Sequence, residues 1–235
     1  MTTTPYEIVT DFPRPDPALV ARAEPLYYCL LGGLVGPRQV MDPGIKPLDV
    51  TWRVCGPAFT VRPEFADDQL MSKIAGKYVK PGDVVVVDAT GSRLANWGAS
   101  MAHGIKQMGA AGLVLDGYVL TEDLLRLREN IPVFCRGTMS ISAGGTRPGW
   151  LNVPVICGGV IVNPGDLILG DGDGVVVVPQ GRIAEIVATV EARKQPRTPE
   201  ELRNLRKPDA PLYYKKSGAE DVVDKLVSAG KLTIR

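Results

Sequence analysis

The stretch DATGSRLANWGASMAHG, residues 88–104, carries the densest set of groups able to do chemistry. It follows the apolar run Val84 to Val87 and leads into residues of helical spacing, so it lies where a strand ends and a helix begins. Such junctions bind anions, because the first N–H groups of a helix lack intrahelical partners and sit at the positive end of its dipole. The small residues Gly98, Ala99 and Ser100 leave that first turn open. The N–H groups of Gly98, Ala99, Ser100 and Met101 are therefore candidates to cradle a carboxylate or phosphate, and Arg93 in the preceding loop is placed to reach the same anion. The other reading of this stretch is a Gly-rich connection that only turns the chain.

His103, the one histidine of the chain, falls on the same helix. With Asn96, Ser100 and Gln107 it makes a polar stripe opposite Trp97, Met101 and Ile105. That stripe is either a solvated helix face or the mount of a general acid or base, which an imidazole titrating near neutrality suits. A second strand end, DGYVLTEDLLRLR, puts Asp116, Glu122 and Asp123 near the edge that holds Asp88, with Asp116 a second candidate to move a proton. Carboxylates with water ligands suit Mg2+ or Mn2+. Glu122 and Asp123 equally suit the first turn of a helix capped by Thr121.

The elements that must position these groups follow from the hydrophobic pattern. Residues 17–31 are spaced as a helix that Gly32-Gly33 ends, and 51–62 alternate as a strand with a Gly-Pro irregularity. Residues 66–76 suit a short helix. The run Val84 to Val87 has no alternation, as expected for a strand buried on both faces. Leu94, Trp97, Met101, Ile105 and Met108 recur at helical spacing, Gly109 closes that helix, and AGLVLDG is a second buried strand. The result is a βαβ unit with parallel strands. A third strand is expected at 131–135. From Gly137 the texture changes to short strands between turns, and the phrase PGD launches a strand twice, at Pro81 and at Pro164. Helices are expected at 181–195, after Thr198-Pro199, and from Ser217 to before Gly230.

Composition limits the function classes. Lys+Arg 27 against Asp+Glu 26 leave no field that would draw 235 residues onto nucleic acid or an anionic membrane. No apolar run approaches the roughly 20 residues of a membrane span, and Met1 to Pro17 is Pro-rich where a signal peptide needs an apolar run. Cys29, Cys55, Cys135 and Cys157 form no CxxC pair and read as four buried, reduced thiols of a cytoplasmic protein. A single histidine excludes a multi-histidine metal cage.

GPAFTV (56–61), PGDVVVVD (81–88), the Trp97-Gly98 helix start, GAAGLVLDG (109–117), PVFCRG (132–137) and NVPVICGGVIVNPGDLILGDGDGVVVVP (152–179) resemble, in order and spacing, the RraA-like family. That family includes 4-hydroxy-4-methyl-2-oxoglutarate aldolases, which also act as oxaloacetate decarboxylases, and the ribonuclease E inhibitor RraA. The resemblance implies an α/β fold of the swivelling β/β/α type over residues 17–195, an N-terminal arm at 1–16 and a helical C-terminal extension at 196–235. It also implies homotrimers, often paired into hexamers, with sites between subunits. In the aldolases the helix start matching Gly98, Ala99, Ser100 and Met101 binds the pyruvate moiety, and an Arg-Asp pair in a D-G-x-x-R-D motif binds substrate and a divalent metal. Here that pair is Leu120 and Thr121, and the acidic residue that often follows the helix Gly is Ala99. Leu120 thus takes a substrate-binding position without a guanidinium. Thr121 is a neutral ligand, for which Glu122 or Asp123 would have to substitute if Mg2+ or Mn2+ is to bind. Glu200 and Glu201 lie roughly where the aldolases donate a glutamate across the interface.

Three functions remain open. The first is a lyase for a small carboxylated oxo acid, acting by C–C cleavage or decarboxylation. Another is a non-catalytic regulator of a ribonuclease, and the last is a diverged enzyme of the same fold with metal-independent acid/base chemistry.

Overall fold

A computed structural model describes residues 6–120, 131–193, 199–204 and 217–233. The chain divides into two compact units, one through Lys194 and one from Gln195. The second unit contains two helices among its described residues, Pro199–Asn204 and Ala219–Ser228.

The first unit is a mixed α/β fold built on one long strand. This strand, β3 (Val54–Pro63), follows the short β1 (Glu7–Ile8) and β2 (Lys46–Pro47). Its second half pairs in parallel with β4 (Val84–Val87), which in turn pairs in parallel with β6 (Gly112–Val119) and that with β7 (Val133–Thr138). The first half of β3 pairs antiparallel with β11 (Leu167–Asp171), itself paired with β12 (Gly174–Val178). One strand therefore carries the chain from a parallel layer into an antiparallel one. The handover falls at Gly56-Pro57, where a Cβ on residue 56 would lie 2.1 Å from the Gly82 carbonyl oxygen. Only glycine permits that approach. The sheet of the parallel strands also takes in β5 (Ala95–Trp97), parallel to the end of β6, and β8 (Gly149–Leu151), antiparallel to the end of β3. The hairpin of β9 (Val155–Cys157) and β10 (Val160–Val162) is separate.

Helices cover the two layers differently. α1 (Pro17–Ala23), α2 (Tyr28–Val35) and α5 (Ile183–Glu191) bury Leu31, Ile186 and Val187 against Leu167, Leu169 and Val178 of the antiparallel layer. α3 (Leu70–Ala75) and α4 (Ala99–Gln107) bury Met71 and Ile105 against Phe59, Val85 and Leu113 of the parallel layer. All four valines of β4 are fully buried, as a strand covered on both faces must be. The two PGD turns share their chemistry. Gly82 and Gly165 both take positive φ, and Asp83 and Asp166 each accept the N–H three residues back, from Lys80 at 2.9 Å and Asn163 at 2.8 Å.

Three expectations need correction. The helix expected over 17–31 is two helices meeting at 109°, and Gly32-Gly33 lies inside the second, which ends at Gly36 with φ of 89°. Pro25 removes the N–H needed to continue the first helix, so the chain turns there. Trp97 and Asn96 belong to β5 rather than to the helix, which starts at Ala99 after an extended Gly98. Asn96 is buried and its amide donates to the Ala66 carbonyl, so the expected helical stripe keeps only Ser100, His103 and Gln107.

The thiols also differ from expectation. Cys135 and Cys157 are buried and Cys55 is half-buried, but Cys29 is exposed. Burial raises the Cys55 thiol to about 12 and the Cys135 thiol to about 11, and it pushes Cys157 well above the ordinary range. Thiolate is the reactive form. At pH 8 a thiol reagent should therefore modify one cysteine quickly in the native protein and all four after denaturation. Peptide mapping should place the first label on Cys29; early labelling of Cys135 or Cys157 would contradict the packing. Because folding raises these pKa values, the thiols favour the native state below their unfolded pKa, and that contribution is lost as pH rises toward 11–12.

Candidate functional site

Among the described residues, a cleft of about 330 Å³ opens at the N-terminus of α4, lined by Gln69, Gly98, Ala99, Ser100, Met101, Leu120 and Ser142. Gly98 is the N-cap with φ of −145°, and among the described residues no side chain caps the helix. Ala99, Ser100 and Met101 thus bring to the cleft N–H groups that no described side chain accepts, at the positive end of the dipole. Leu120 stands over this start. Its N–H bonds the Trp97 carbonyl at 2.9 Å, and a Cβ on residue 98 would lie 3.9 Å from Leu120 Cβ and Cδ1.

The opposite wall is polar and neutral. Gln69 is 5% exposed, and its Nε2 donates to the Ala95 carbonyl at 2.9 Å and to Ser142 Oγ at 3.3 Å. These bonds fix which way the amide faces. Neighbouring Asp68 pins the loop, accepting the N–H of Leu70 at 2.8 Å and of Arg147 at 2.9 Å. The described lining thus contains no charged side chain, and its attraction for an anion comes from backbone N–H groups.

The residues singled out by sequence are distributed unevenly around this cleft. Gly98, Ala99, Ser100, Met101 and Leu120 line it. His103 is exposed on α4, one helical turn beyond Ala99 on the same side, and helix side chains lean toward the N-terminus. Arg93 is exposed in the loop before β5 and is not among the lining residues. Thr121, Glu122 and Asp123 lie outside the described residues.

Asp116 is placed elsewhere. It is 2% exposed, and its carboxylate accepts from Arg136 Nε, from Thr90 Oγ1 at 3.1 Å and from the Gly158 N–H at 2.7 Å. Arg136 bonds Asp42 as well, at 3.0 Å, and the two carboxylates raise the guanidinium further above its ordinary pKa, Asp116 most. Asp42 is held below the usual carboxylate range by the Gly44 N–H first and Arg136 second. This array joins the ends of β6 and β7 to the loop before β10. Three donors already hold this carboxylate, and Asp116 is not among the residues that line the cleft.

Sequence reasoning missed Gln69 and Ser142. Asp68-Gln69 directly before a short helix was the available sign, but Ser142 reaches the cleft only through the tertiary fold. Among the described residues, no three His, Cys, Asp or Glu side chains are grouped to hold a metal ion, and no single helix is long and apolar enough to cross a membrane.

The fold and the sequence are similar to those of known proteins. A protein of Halalkalibacterium halodurans provisionally named 4-hydroxy-4-methyl-2-oxoglutarate aldolase is 39% identical over 152 residues, covering 64% of this chain and 71% of its own. A crystal structure from Streptomyces coelicolor, described as an unusual member of the RNase ES inhibitor RraA family, superposes with a TM-score of 0.67 at 34% identity, over 76% of this chain and 93% of that one. An uncharacterised protein of Pseudomonas syringae gives 0.66 at 26% identity over 94% of this chain and 97% of its own. The model of the RraA-like family, described as Aldolase/RraA, matches residues 29–177, well over half the chain, and the protein belongs to that family.

Proposed function

We propose that this protein is a lyase for a small 2-oxo acid, cleaving or decarboxylating it to release pyruvate or a related acid. The observation that carries the reading is the uncapped start of α4, which offers three N–H groups to a carboxylate inside a cleft whose other wall is hydrogen-bonding and neutral. Cleavage requires a base, here His103, to take the hydroxyl proton of the substrate as the C–C bond breaks, whereas decarboxylation releases CO2; both leave an enolate that must be stabilised and then protonated. The N–H groups and dipole of α4 suit the negative charge. Gln69 and Ser142 are positioned to orient the oxo or hydroxyl oxygen. His103, leaning over the first turn from outside, is the group we assign to deliver the proton. Asp116 is not assigned that role because three donors hold its carboxylate and it does not line the cleft. Arg93 adds positive charge at longer range.

A Mg2+ or Mn2+ ion requires carboxylate ligands, and the described lining supplies none. Thr121, Glu122 and Asp123, which lie outside the described residues, are the residues that would have to hold such an ion, and bound there it would polarise the oxo group. The chain is proposed to work in the cytoplasm as a homotrimer or hexamer.

The test is release of pyruvate from 4-hydroxy-4-methyl-2-oxoglutarate or oxaloacetate by the purified protein, with and without Mg2+. Activity is expected, and His103→Asn should lower kcat by about 100-fold or more with little change in KM. No pyruvate under either condition would remove the lyase reading. It would favour the second one, a ribonuclease regulator, which rests on Leu120 in the cleft and on likeness to the Streptomyces protein. Recovery of ribonuclease E in a pull-down would support that alternative.

A further inference from the structure

A second cavity, of about 200 Å³, lies between α3 and α4 and shares Ser100 and Met101 with the cleft. Ile105 and Met101 form an apolar floor, and the exposed Lys73 is the one charged residue of the described lining. Two glycines line it, and neither is required by the backbone. Gly104 lies inside α4, and Gly76 closes α3 with an ordinary φ of −55°. Neither is required by crowding. A Cβ on residue 104 would meet nothing within 4 Å, and one on residue 76 only Ile105 Cγ2 at 3.8 Å. Glycine inside a helix is destabilising relative to alanine, so the missing side chains keep open a space that the fold itself does not use.

An independent sign points to an occupant. Ser72, on the wall of the same cavity, is 2% exposed, and among the described residues its Oγ has no hydrogen-bond partner. A buried hydroxyl without a partner is unfavourable and uncommon in native folds.

We infer that the α3–α4 cavity receives the tail of the substrate, so that the preferred ligand is a 2-oxo acid with an aliphatic chain carrying a hydroxyl or carbonyl that meets Ser72. The carboxylate lies on the N–H groups of Ala99, Ser100 and Met101, and the tail passes Met101 into the space beside Gly104. This rests on the oxo-acid reading of the cleft and adds the substrate class to it. The volume far exceeds the ~10–15 Å³ that one water needs, and its apolar floor favours carbon over solvent.

The experiment is calorimetric titration of the full chain with pyruvate, 2-oxobutyrate, 2-oxopentanoate, 2-oxohexanoate and 5-hydroxy-2-oxopentanoate. Affinity should rise about fourfold for each methylene, and further for the hydroxylated tail. Gly104→Leu should bind pyruvate as the wild type does yet show no gain with length. Ser72→Ala should keep the gain with length and lose the extra gain from the hydroxyl. Unchanged pyruvate binding also shows that each variant is folded. If pyruvate binds but length has no effect in the wild type, the tail site is wrong and the oxo-acid cleft stands. A cavity filled instead by a second copy of the chain gives this same result. If no 2-oxo acid binds, the oxo-acid reading itself fails and the tail site with it.

Discussion

Leu120→Arg should raise the affinity for pyruvate roughly 10- to 100-fold, the effect of one added charge-assisted hydrogen bond at about 1.5–3 kcal/mol. Leu120 is half-buried on the cleft wall, fixed by its N–H to the Trp97 carbonyl, and its side chain stands beside the Gly98 helix start. An arginine there could lay its stem along the wall now covered by leucine and place its fork over an anion held by the N–H groups. In the aldolases that this chain resembles, the matching position is arginine and the next is aspartate. Adding Thr121→Asp should therefore make pyruvate release from 4-hydroxy-4-methyl-2-oxoglutarate faster and dependent on Mg2+. Calorimetry with pyruvate and a pyruvate-release assay with and without Mg2+ check the two steps separately. Unchanged pyruvate affinity in Leu120→Arg would show that the anion does not lie at this helix start.

The contrast between what was and was not legible in the sequence follows from the range of the interactions. The parallel βαβ unit was visible because an unbroken valine run, a Gly-rich junction and a helical period are local signals that the tertiary structure reinforces. The PGD turns were visible because the aspartate closes its own turn. Trp97 was misplaced because its spacing to Met101 and Ile105 fits a helix equally well. What decides is β6, which accepts residues 95–97 as a short strand and buries the indole completely. The helix start of the candidate site was legible for the same local reasons. Its far wall was not, since Gln69 and Ser142 are 73 residues apart and meet through bridges among separate loops. Asp116 shows the remaining gap. Its residue type and strand-end position suggested chemistry, but three donors from β7, the loop after β4 and the hairpin of β9 and β10 reach it only in the fold.

That environment makes Asp116→Ala the substitution with the largest expected cost to stability. Removing one partner of a buried ion pair costs about 3–5 kcal/mol, because the other groups stay desolvated and unpaired. Here the Gly158 N–H and Thr90 Oγ1 would lose their acceptor, and Arg136 would keep only the exposed Asp42. The Arg136 side chain is 31% exposed, so water can take over part of its hydrogen bonding, and the loss should fall near the lower end, about 3 kcal/mol. For a chain of this size that corresponds to a Tm lower by roughly 6–12 °C. Asp116→Asn keeps the shape and should lose less. The pair Asp116→Ala and Arg136→Ala should be clearly non-additive, since the second change removes a group already orphaned by the first. Acid should act in the same direction through Asp42. Its folded pKa is depressed, so its contribution is present above the ordinary carboxylate range and is lost as pH falls through the lowered value. Thermal unfolding of Asp116→Ala, Asp116→Asn, Arg136→Ala and the double variant, with pyruvate titration well below the Tm, separates a structural from a chemical role. A large drop in Tm with pyruvate binding intact is the expected result, because Asp116 does not line the cleft. Lost pyruvate release at unchanged Tm would return Asp116 to the chemistry and make Arg136, rather than the start of α4, the group around which the reaction is organised.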